Sequence, residues 1–298
     1  MGAGRAAGGR LLTDHPHTAT IDLTDPEQWE GALIDALLSH PATHRLHTLE
    51  LHLTDYHHSA EHAAISLAGR QHPRLERMYF GYGFEYLFED SEESTGNRIN
   101  PLDFHRKGLV QADMWDSLPA LRTLELEGAF LFHIVNHDGL TRLRARGSVI
   151  SDGSVFDLGW TSGLVSLEVE IGSDVFGVSC ALEQLDELKA PQYPNLRNLD
   201  LSKAEFDATS FEVFSALADS PVLPQLETLS IRDLTIGQED CEGEPLAVLA
   251  ELAPRFAHLA LHVDDVIDIE GADDEEVDRV LSRFGPRRVH ATGNQDDD

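Results

Sequence analysis

The chain has 298 residues and a formal net charge of −31 at pH 7, from 53 acidic and 22 basic side chains. This acidity disfavours nucleic acid and anionic membrane surfaces as partners, and it favours a basic or mixed-charge protein. Solubility alone explains the acidity equally well.

The N-terminal 45 residues are predicted to form a tail, a strand and a helix. Residues 1–16 have no apolar pattern, and we expect a disordered tail without a signal peptide. The alternation in TATIDL predicts a strand with Ile21 and Leu23 on one face, and Asp25 and Pro26 then open a helix. We interpret residues 17–45 as a cap for the segment that follows.

From residue 46 the chain repeats a short phrase with apolar residues at its first, fourth and sixth positions. Eight windows fit, and they begin at Leu46, Leu75, Leu121, Leu140, Leu164, Leu196, Leu226 and Phe256. Successive starts are 29, 46, 19, 24, 32, 30 and 30 residues apart. Most of these spacings hold a strand, a turn, a helix and a return loop, which predicts parallel strands alternating with helices.

The segments between the windows have the apolar spacing of short helices. Three examples are residues 181–191, 207–221 and 244–254. Residues 272–286 predict a further helix that stops at Gly285 and Pro286, followed by a short strand in RRVHATG. We interpret residues 267–292 as a C-terminal helical cap and residues 293–298 as an acidic tail.

The eight windows resemble the LxxLxL core of leucine-rich repeat proteins, and the period near 30 residues resembles the ribonuclease-inhibitor-like branch. The resemblance covers residues 46–266, with an insertion at about 83–117. It implies an α/β fold, a right-handed solenoid with a curved parallel sheet on its concave side, helices and loops on its convex side, and helical caps. It also implies a non-enzymatic protein-binding scaffold.

The sequence departs from the family pattern at the ninth position, where asparagine or cysteine would supply a ladder of hydrogen bonds. The residues found there are Thr54, Gly83, Ala129, Ser148, Gly172, Ala204, Leu234 and Asp264. The buried backbone groups at that bend must therefore find other partners. The eleventh position is apolar or aromatic in six copies, Val266 among them. The pattern resembles irregular bacterial leucine-rich repeat proteins.

Alternation along each strand places the residues between the leucines on the exposed face of the sheet. The face positions include Ser202 and His258, and those we select for partner binding are Glu50, Arg77, Tyr79, Glu125, Glu127, Arg142, Arg144, Arg146, Glu168, Glu170, Asp200 and Arg232. The three arginines at alternate positions of one strand suit an anion. Alternatively, they pair across strands with the glutamates on either side, and we favour this second interpretation.

The longest spacing begins with an aromatic run, YFGYGFEYLF, which is followed by acidic residues. Tyr79, Tyr82, Phe84 and Tyr86 in this run are candidate contacts for a basic partner. The alternative is that the aromatic side chains only pack the insertion onto the scaffold.

The sequence contains few features that would indicate a metal site or a catalytic site. His15, His17, His57 and His58 lack a carboxylate or cysteine framework, and no nucleophile, phosphate-binding or zinc-protease motif stands in a suitable context. We expect a cytoplasmic binding protein with no cofactor and no metal, with inhibitor, immunity factor and adaptor as candidate roles. The alternatives are a self-associating structural solenoid and, less favoured, a metal-dependent hydrolase.

Overall fold

A computed structural model describes most of the chain. The described residues are 18–22, 30–53, 61–82, 113–127, 135–146, 156, 161–171, 180–285 and 288–289. The predicted tails (1–16 and 293–298) and residues 83–112 of the predicted insertion lie outside them. Contacts divide the chain into two compact units, Met1–Leu140 and Thr141–Asp298.

Along the described chain, successive strands are connected by α-helices, 3₁₀ turns or loops. The strands are β1 (Thr18–Asp22), β2 (Thr48–Leu53), β3 (Arg77–Tyr82), β4 (Thr123–Glu127), β5 (Arg142–Arg146), β6 (Ser166–Ile171), β7 (Asn198–Ala204), β8 (Thr228–Ile231), β9 (Leu234–Ile236), β10 (Ala260–Val263), β11 (Ile267–Ile269) and β12 (Arg288–Val289). The helices are α1 (Glu30–Leu38), α2 (Glu61–Ala68), α3 (Ser210–Asp219), α4 (Pro245–Leu252) and α5 (Asp274–Leu281). No helix among the described residues is long and apolar enough to cross a membrane.

The first unit contains a parallel sheet in which β1, β2, β3 and β4 are neighbours in chain order. The fourth-position residues Leu49, Met78 and Leu124 lie opposite one another and are buried. The predicted N-terminal strand extends the same register, because Ile21 lies opposite Leu51. Each strand therefore covers the apolar side chains of the next.

The second unit contains a parallel sheet in the order β5, β6, β7, β8, β10 and β12. A column of leucines runs through five of these strands, and its members are Leu143, Leu167, Leu199, Leu229 and Leu261. All five are at most 1 % exposed. The predicted final strand is present as β12.

The eighth window was predicted in the wrong register. Leu261 lies opposite Leu229, so the window begins at His258 and not at Phe256. His258 precedes β10, and its Nε2 lies 2.9 Å from the carbonyl oxygen of Leu223. Because the window shifts by an even number of residues, the same side chains of β10 still point inward. Val266, which the sequence places at the apolar eleventh position, is 46 % exposed.

A β-bulge interrupts the regular alternation of β7. Glu168 lies opposite Asp200, whereas Glu170 lies opposite Lys203, so β7 contains one extra residue. Ser202, predicted on the exposed face, is consequently buried, and Lys203 is exposed. The Ser202 N–H donates to Oδ1 of Asp200 at 3.0 Å, which satisfies a backbone group that the bulge displaces.

Backbone groups at the bend after the main strands pair with backbone from adjacent repeats. The N–H of Glu205 donates to the carbonyl of Ile171 at 2.6 Å, and Leu234 donates to Val266 at 2.9 Å. A second parallel sheet forms there from β9 and β11, and Cys180 forms an isolated parallel bridge with Phe206. These contacts, called the secondary ladder below, lie at the bend that follows each main strand.

Side chains in the loops before the strands add hydrogen bonds between repeats. Each donates to a backbone carbonyl of an adjacent repeat at 2.5–3.3 Å, and the pairs are Gln71 with Asp116, Arg122 with Gly139, Asn195 with Ser162, Gln225 with Tyr193, and Arg255 with Ala218. The amide and guanidinium groups thus give backbone carbonyls in the turns and helices of adjacent repeats a hydrogen-bond partner.

The helical side of the second unit is closed by three stacked phenylalanines. The ring centroid of Phe214, on α3, lies 4.2 Å from that of Phe256 and 6.0 Å from that of Phe284. Phe284 follows α5, which ends at Leu281, so the predicted helical face extends beyond the helix itself. Of the predicted helices, residues 182–187 instead form a 3₁₀ helix.

The leucine column predicts a large loss of stability on truncation. Leu229→Ala should lower the free energy of unfolding by about 2–5 kcal/mol, because the side chain is fully buried and its neighbours are held by the sheet. Urea unfolding provides the measurement. Val165→Ala, at a position 36 % exposed, is the control and should change it by less than about 0.5 kcal/mol. A loss below about 1 kcal/mol at Leu229 would show that the register is wrong.

Candidate functional site

The exposed face of the first unit carries an ordered set of polar and aromatic side chains. In register, Tyr79 lies between Glu50 and Glu125, and Gly81 lies between His52 and Glu127. The parallel pairing of β2, β3 and β4 fixes these rows, because alternate residues of each strand point to the same side. This face contains most of the predicted contacts of the first unit.

Tyr79 is the centre of a compact cluster on that face. Its hydroxyl donates to Oε2 of Glu127 at 2.8 Å, and its ring stacks on His52 with centroids 4.4 Å apart. His52 Nε2 in turn lies 3.5 Å from Oε2 of Glu50. Glu127 is only 8 % exposed, so this carboxylate anchors the tyrosine more than it offers a charge to solvent.

Gly81 is required for the close approach of β3 and β4 beside this cluster. A Cβ atom on Gly81 would lie 2.3 Å from the carbonyl oxygen of Glu127 and 2.7 Å from its Cβ. Any side chain there would push the two strands apart and displace the carboxylate that holds Tyr79. The sequence contained this glycine within the aromatic run, but its role depends on the neighbouring strand.

The other predicted contacts of the first unit are placed only in part. Arg77 is exposed at the start of β3, and Glu125 is half-buried on β4. Tyr82 lies at the end of β3. Phe84 and Tyr86 lie outside the described residues, so the aromatic insertion remains a prediction.

The arginine row of the second unit forms an ion-pair ladder with the adjacent strand. Arg144 lies opposite Glu168 and Arg146 lies opposite Glu170. The nitrogen–oxygen distances are 3.5 Å for Arg142 with Glu168, 3.1 and 2.9 Å for Arg144 with Glu168 and Glu170, and 2.9 Å for Arg146 with Glu170. Five charges of alternating sign therefore follow one another across two strands.

Burial makes this ladder stronger than a fully solvated one. The side chains of Glu170 and Arg146 are 13 % and 15 % exposed, so solvent and salt screen their attraction less than at an open surface. Each glutamate contacts two arginines. The ladder stabilises the pairing of β5 with β6, whereas pairing of the same arginines with Glu125 and Glu127 stays a prediction.

The remaining predicted contacts of the second unit do not join the ladder. Asp200 is engaged with its own β-bulge, and Arg232 is exposed after β8. Ser230 and His262 lie in the same row as Asp200.

Histidine provides no metal centre in the described part of the chain. No group of three potential ligands occurs among those residues, and His15, His17, His57 and His58 lie outside them. His72 is 5 % exposed. Burial lowers its pKa below 6.5, with His44 and Arg70 adding repulsion, although a backbone hydrogen bond at Leu67 opposes the shift. His72 is thus a buried side chain that belongs to no ligand cluster among the described residues.

The comparisons with known proteins bear on the fold. No protein-family model matches the sequence, and no curated protein is significantly similar to it. The chain is similar in structure to a Bacteroides fragilis protein whose crystal structure comes from a structural genomics consortium. The TM-score is 0.58 at 17 % sequence identity, over 88 % of this chain and 70 % of that one. A repeat-type α/β fold fits this likeness and the parallel sheets. At this identity the likeness concerns the fold alone.

The ion-pair ladder predicts a measurable energetic coupling. A double-mutant cycle of Arg144→Gln and Glu170→Gln should give a coupling of about 1 kcal/mol in urea unfolding, because the pair is partly buried. The exposed pair Lys189 and Glu187, at 2.5 Å, serves as the control and should couple by less than about 0.5 kcal/mol. Equal coupling in the two pairs would show that burial does not strengthen the ladder. An anion site would be supported if changing all three arginines to glutamate abolished binding without altering the melting temperature.

The two cysteines should react very differently with thiol reagents. Burial, with a smaller contribution from Asp207, raises the pKa of Cys180 from 9.0 to about 12, so its reactive thiolate is scarce at pH 8. Cys241 is only half-buried. Ellman's reagent should therefore modify one thiol rapidly and the other at least about tenfold more slowly, with Cys241→Ser leaving only the slow phase. Two fast thiols in the folded protein would contradict the burial of Cys180.

Proposed function

We propose that this chain is a non-enzymatic protein-binding scaffold of the irregular bacterial leucine-rich repeat type. The observation that carries the proposal is the common register of the strands in each sheet. Leucine rows are buried on one side, and ordered rows of polar and aromatic side chains lie on the other. Such rows recognise an extended partner surface without a catalytic centre.

The finer architecture belongs to the same proposal. We take the sheet to line the concave side of a right-handed solenoid, with helical caps at residues 17–45 and 267–292. The in-register β1 and the helix α5 beside the final strands support these assignments. The extra bonding of the secondary ladder explains how such a solenoid does without an asparagine ladder.

The partner in this proposal is a basic or mixed-charge protein. The formal net charge of −31 supports it, as does the placement of Tyr79 and Glu50 on one face of the first unit. Tyrosine contributes a large contact area at low entropic cost, and it is enriched among residues that dominate binding energy. The aromatic insertion would extend this surface, with Tyr82, Phe84 and Tyr86 as its contacts.

The arginines of the second unit have a different part in this function. Arg142, Arg144 and Arg146 are paired with glutamates and would hold the strands in register, while Asp200 and Arg232 would lie at the edge of the bound surface. Inhibitor, immunity factor and adaptor are roles open to such a cytoplasmic scaffold.

Capture from the native host, followed by affinity measurements with the recombinant partner, tests this function. Binding should weaken at least about tenfold between low and high salt, because charge complementarity contributes to it. Tyr79→Ala should weaken it about tenfold or more, and Glu50→Lys should weaken it as well. Deletion of residues 83–100 should abolish capture while leaving cooperative urea unfolding intact.

The matched control is Asp35→Lys, which makes the same charge change on the exposed part of α1 and should leave affinity nearly unaltered. Equal losses of affinity in the Glu50 and Asp35 variants would show that the net charge of the chain, and not the position of Glu50, determines binding. Capture of the chain's own copies alone, insensitive to salt, would instead favour the self-associating solenoid.

A further inference from the structure

The second unit contains an open cleft between two successive repeats, at the carboxyl ends of β7 and β8. It encloses about 720 Å³ of empty space, part of it continuous with solvent. One wall is the segment that leads from β7 to α3, and the other is the connection from β8 to β9. Ligands of parallel α/β sheets commonly bind beyond the carboxyl ends of strands, and this cleft lies at such a position.

The secondary ladder is interrupted where the cleft lies. Phe206 pairs with Cys180 on the preceding side, and β9 pairs with β11 on the following side. Within the described residues, no hydrogen bond joins Phe206 to β9. Instead, the hydroxyl of Ser210 accepts from the N–H of Thr235 at 2.7 Å and donates to its carbonyl at 2.9 Å. The Ser210 hydroxyl thus occupies the N–H and C=O of Thr235 in β9, whereas it bonds neither group of Phe206.

The backbone of Phe206 faces this opening. Cys180 donates its N–H to Glu205 at 2.8 Å and accepts the N–H of Asp207 at 2.9 Å. Cys180 thus bonds to the two residues that flank Phe206. In parallel pairing, the N–H and C=O of the residue opposite, here Phe206, then point away from Cys180. Neither group of Phe206 has a hydrogen-bond partner in the described structure. Phe206 therefore presents an unpaired strand edge to the cleft that it lines.

The cleft is apolar inside and charged at its rim. Leu201, Phe214 and Ile231 form its inner surface and are at most 4 % exposed overall. Glu205, Arg232 and Asp233 contribute two negative charges and one positive charge at the rim. An aliphatic side chain fits such an interior, and a neighbouring cation complements the net charge of the rim and of the whole chain.

We propose that this cleft binds an extended peptide segment of a protein partner, which adds to the open edge at Phe206 as a strand. The peptide backbone exchanges hydrogen bonds with the N–H and C=O of Phe206, as in other cases of strand addition. One aliphatic side chain enters the apolar interior, and an adjacent lysine or arginine lies beside Glu205 and Asp233. Apart from Arg232, which also borders the proposed sheet-face surface, this site is separate from the sheet faces and does not depend on their function.

A defined peptide, acetyl-GSKLKSG-amide, tests the proposal by calorimetric titration against the full chain at low salt. The same peptide with N-methyl-leucine has lost the leucine N–H and should bind about two- to tenfold more weakly. A version with aspartate in place of both lysines should bind more weakly than either. These changes are made in the peptide, so folding of the protein does not affect them.

Variants of the cleft provide the second part of the test. Ala208→Phe should fill the cleft and weaken binding at least about tenfold, whereas the same change at Ala36, exposed on α1, should have no effect. Asp233→Asn should weaken binding and Arg232→Gln should strengthen it, each by about two- to fivefold. Asp35→Asn is the charge control. The amide of Phe206 should also exchange more slowly when the peptide is bound.

Several results would overturn the proposal. These are absence of binding up to millimolar peptide, equal affinity for the N-methylated peptide, and unchanged affinity in the Ala208→Phe variant. Weaker binding in the Arg232→Gln variant would show that the cleft selects acidic peptides and not basic ones. The peptide, Ala208 and Asp233 belong to the cleft and not to the sheet faces, so loss of the sheet-face function would leave the outcomes that rest on them unaffected.

Discussion

Stacking of apolar side chains between parallel strands is the constraint on which the rest of this structure depends. A single repeat has one short strand, and the two or three leucines on its inner side cannot be covered by that repeat alone. Leu167 and Leu199 become fully buried only because each lies between equivalent residues of adjacent strands. Parallel neighbours also require a returning segment, so every strand must be followed by a helix or an equivalent loop.

The same constraint creates a problem for polar backbone groups wherever the chain leaves the sheet. This chain lacks asparagine at the bend, and it uses backbone pairing in the secondary ladder together with side-chain donors such as Asn195 and Gln225. Such pairing joins neighbouring repeats, but it need not extend through all of them. Where two repeats separate, as between Phe206 and β9, a donor and an acceptor remain open beside an apolar interior. Such an opening selects a ligand more specifically than an exposed apolar patch does, because the ligand must supply both backbone hydrogen-bonding groups and an apolar side chain.

Charge is distributed unevenly over this acidic chain. In the second unit, arginines and glutamates neutralise one another across β5 and β6. In the first unit, the aromatic ring of Tyr79 lies among carboxylates, one of which is buried and holds its hydroxyl. The two faces therefore use charge differently, one in ion pairs between strands and the other to hold an aromatic side chain. Net charge alone does not distinguish these uses, whereas the register of the strands does.

The sequence by itself determined the repeat, the inward leucines and the face of most polar residues, because alternation and period are local properties of the chain. It located seven of the eight windows in their observed register, and it anticipated the pairing of Arg144 and Arg146 with Glu168 and Glu170. Apolar spacing of three residues at 182–188 did not distinguish an α-helix from a 3₁₀ helix.

Only the tertiary structure decided the bulge in β7, the shift of the last window to His258, the need for Gly81 and the opening at Phe206. Each depends on which backbone groups meet across repeats 26 to 46 residues apart. One-residue or two-residue changes in such pairings leave the apolar pattern almost unaltered. They decide which polar groups are left exposed, and hence where a partner can bind.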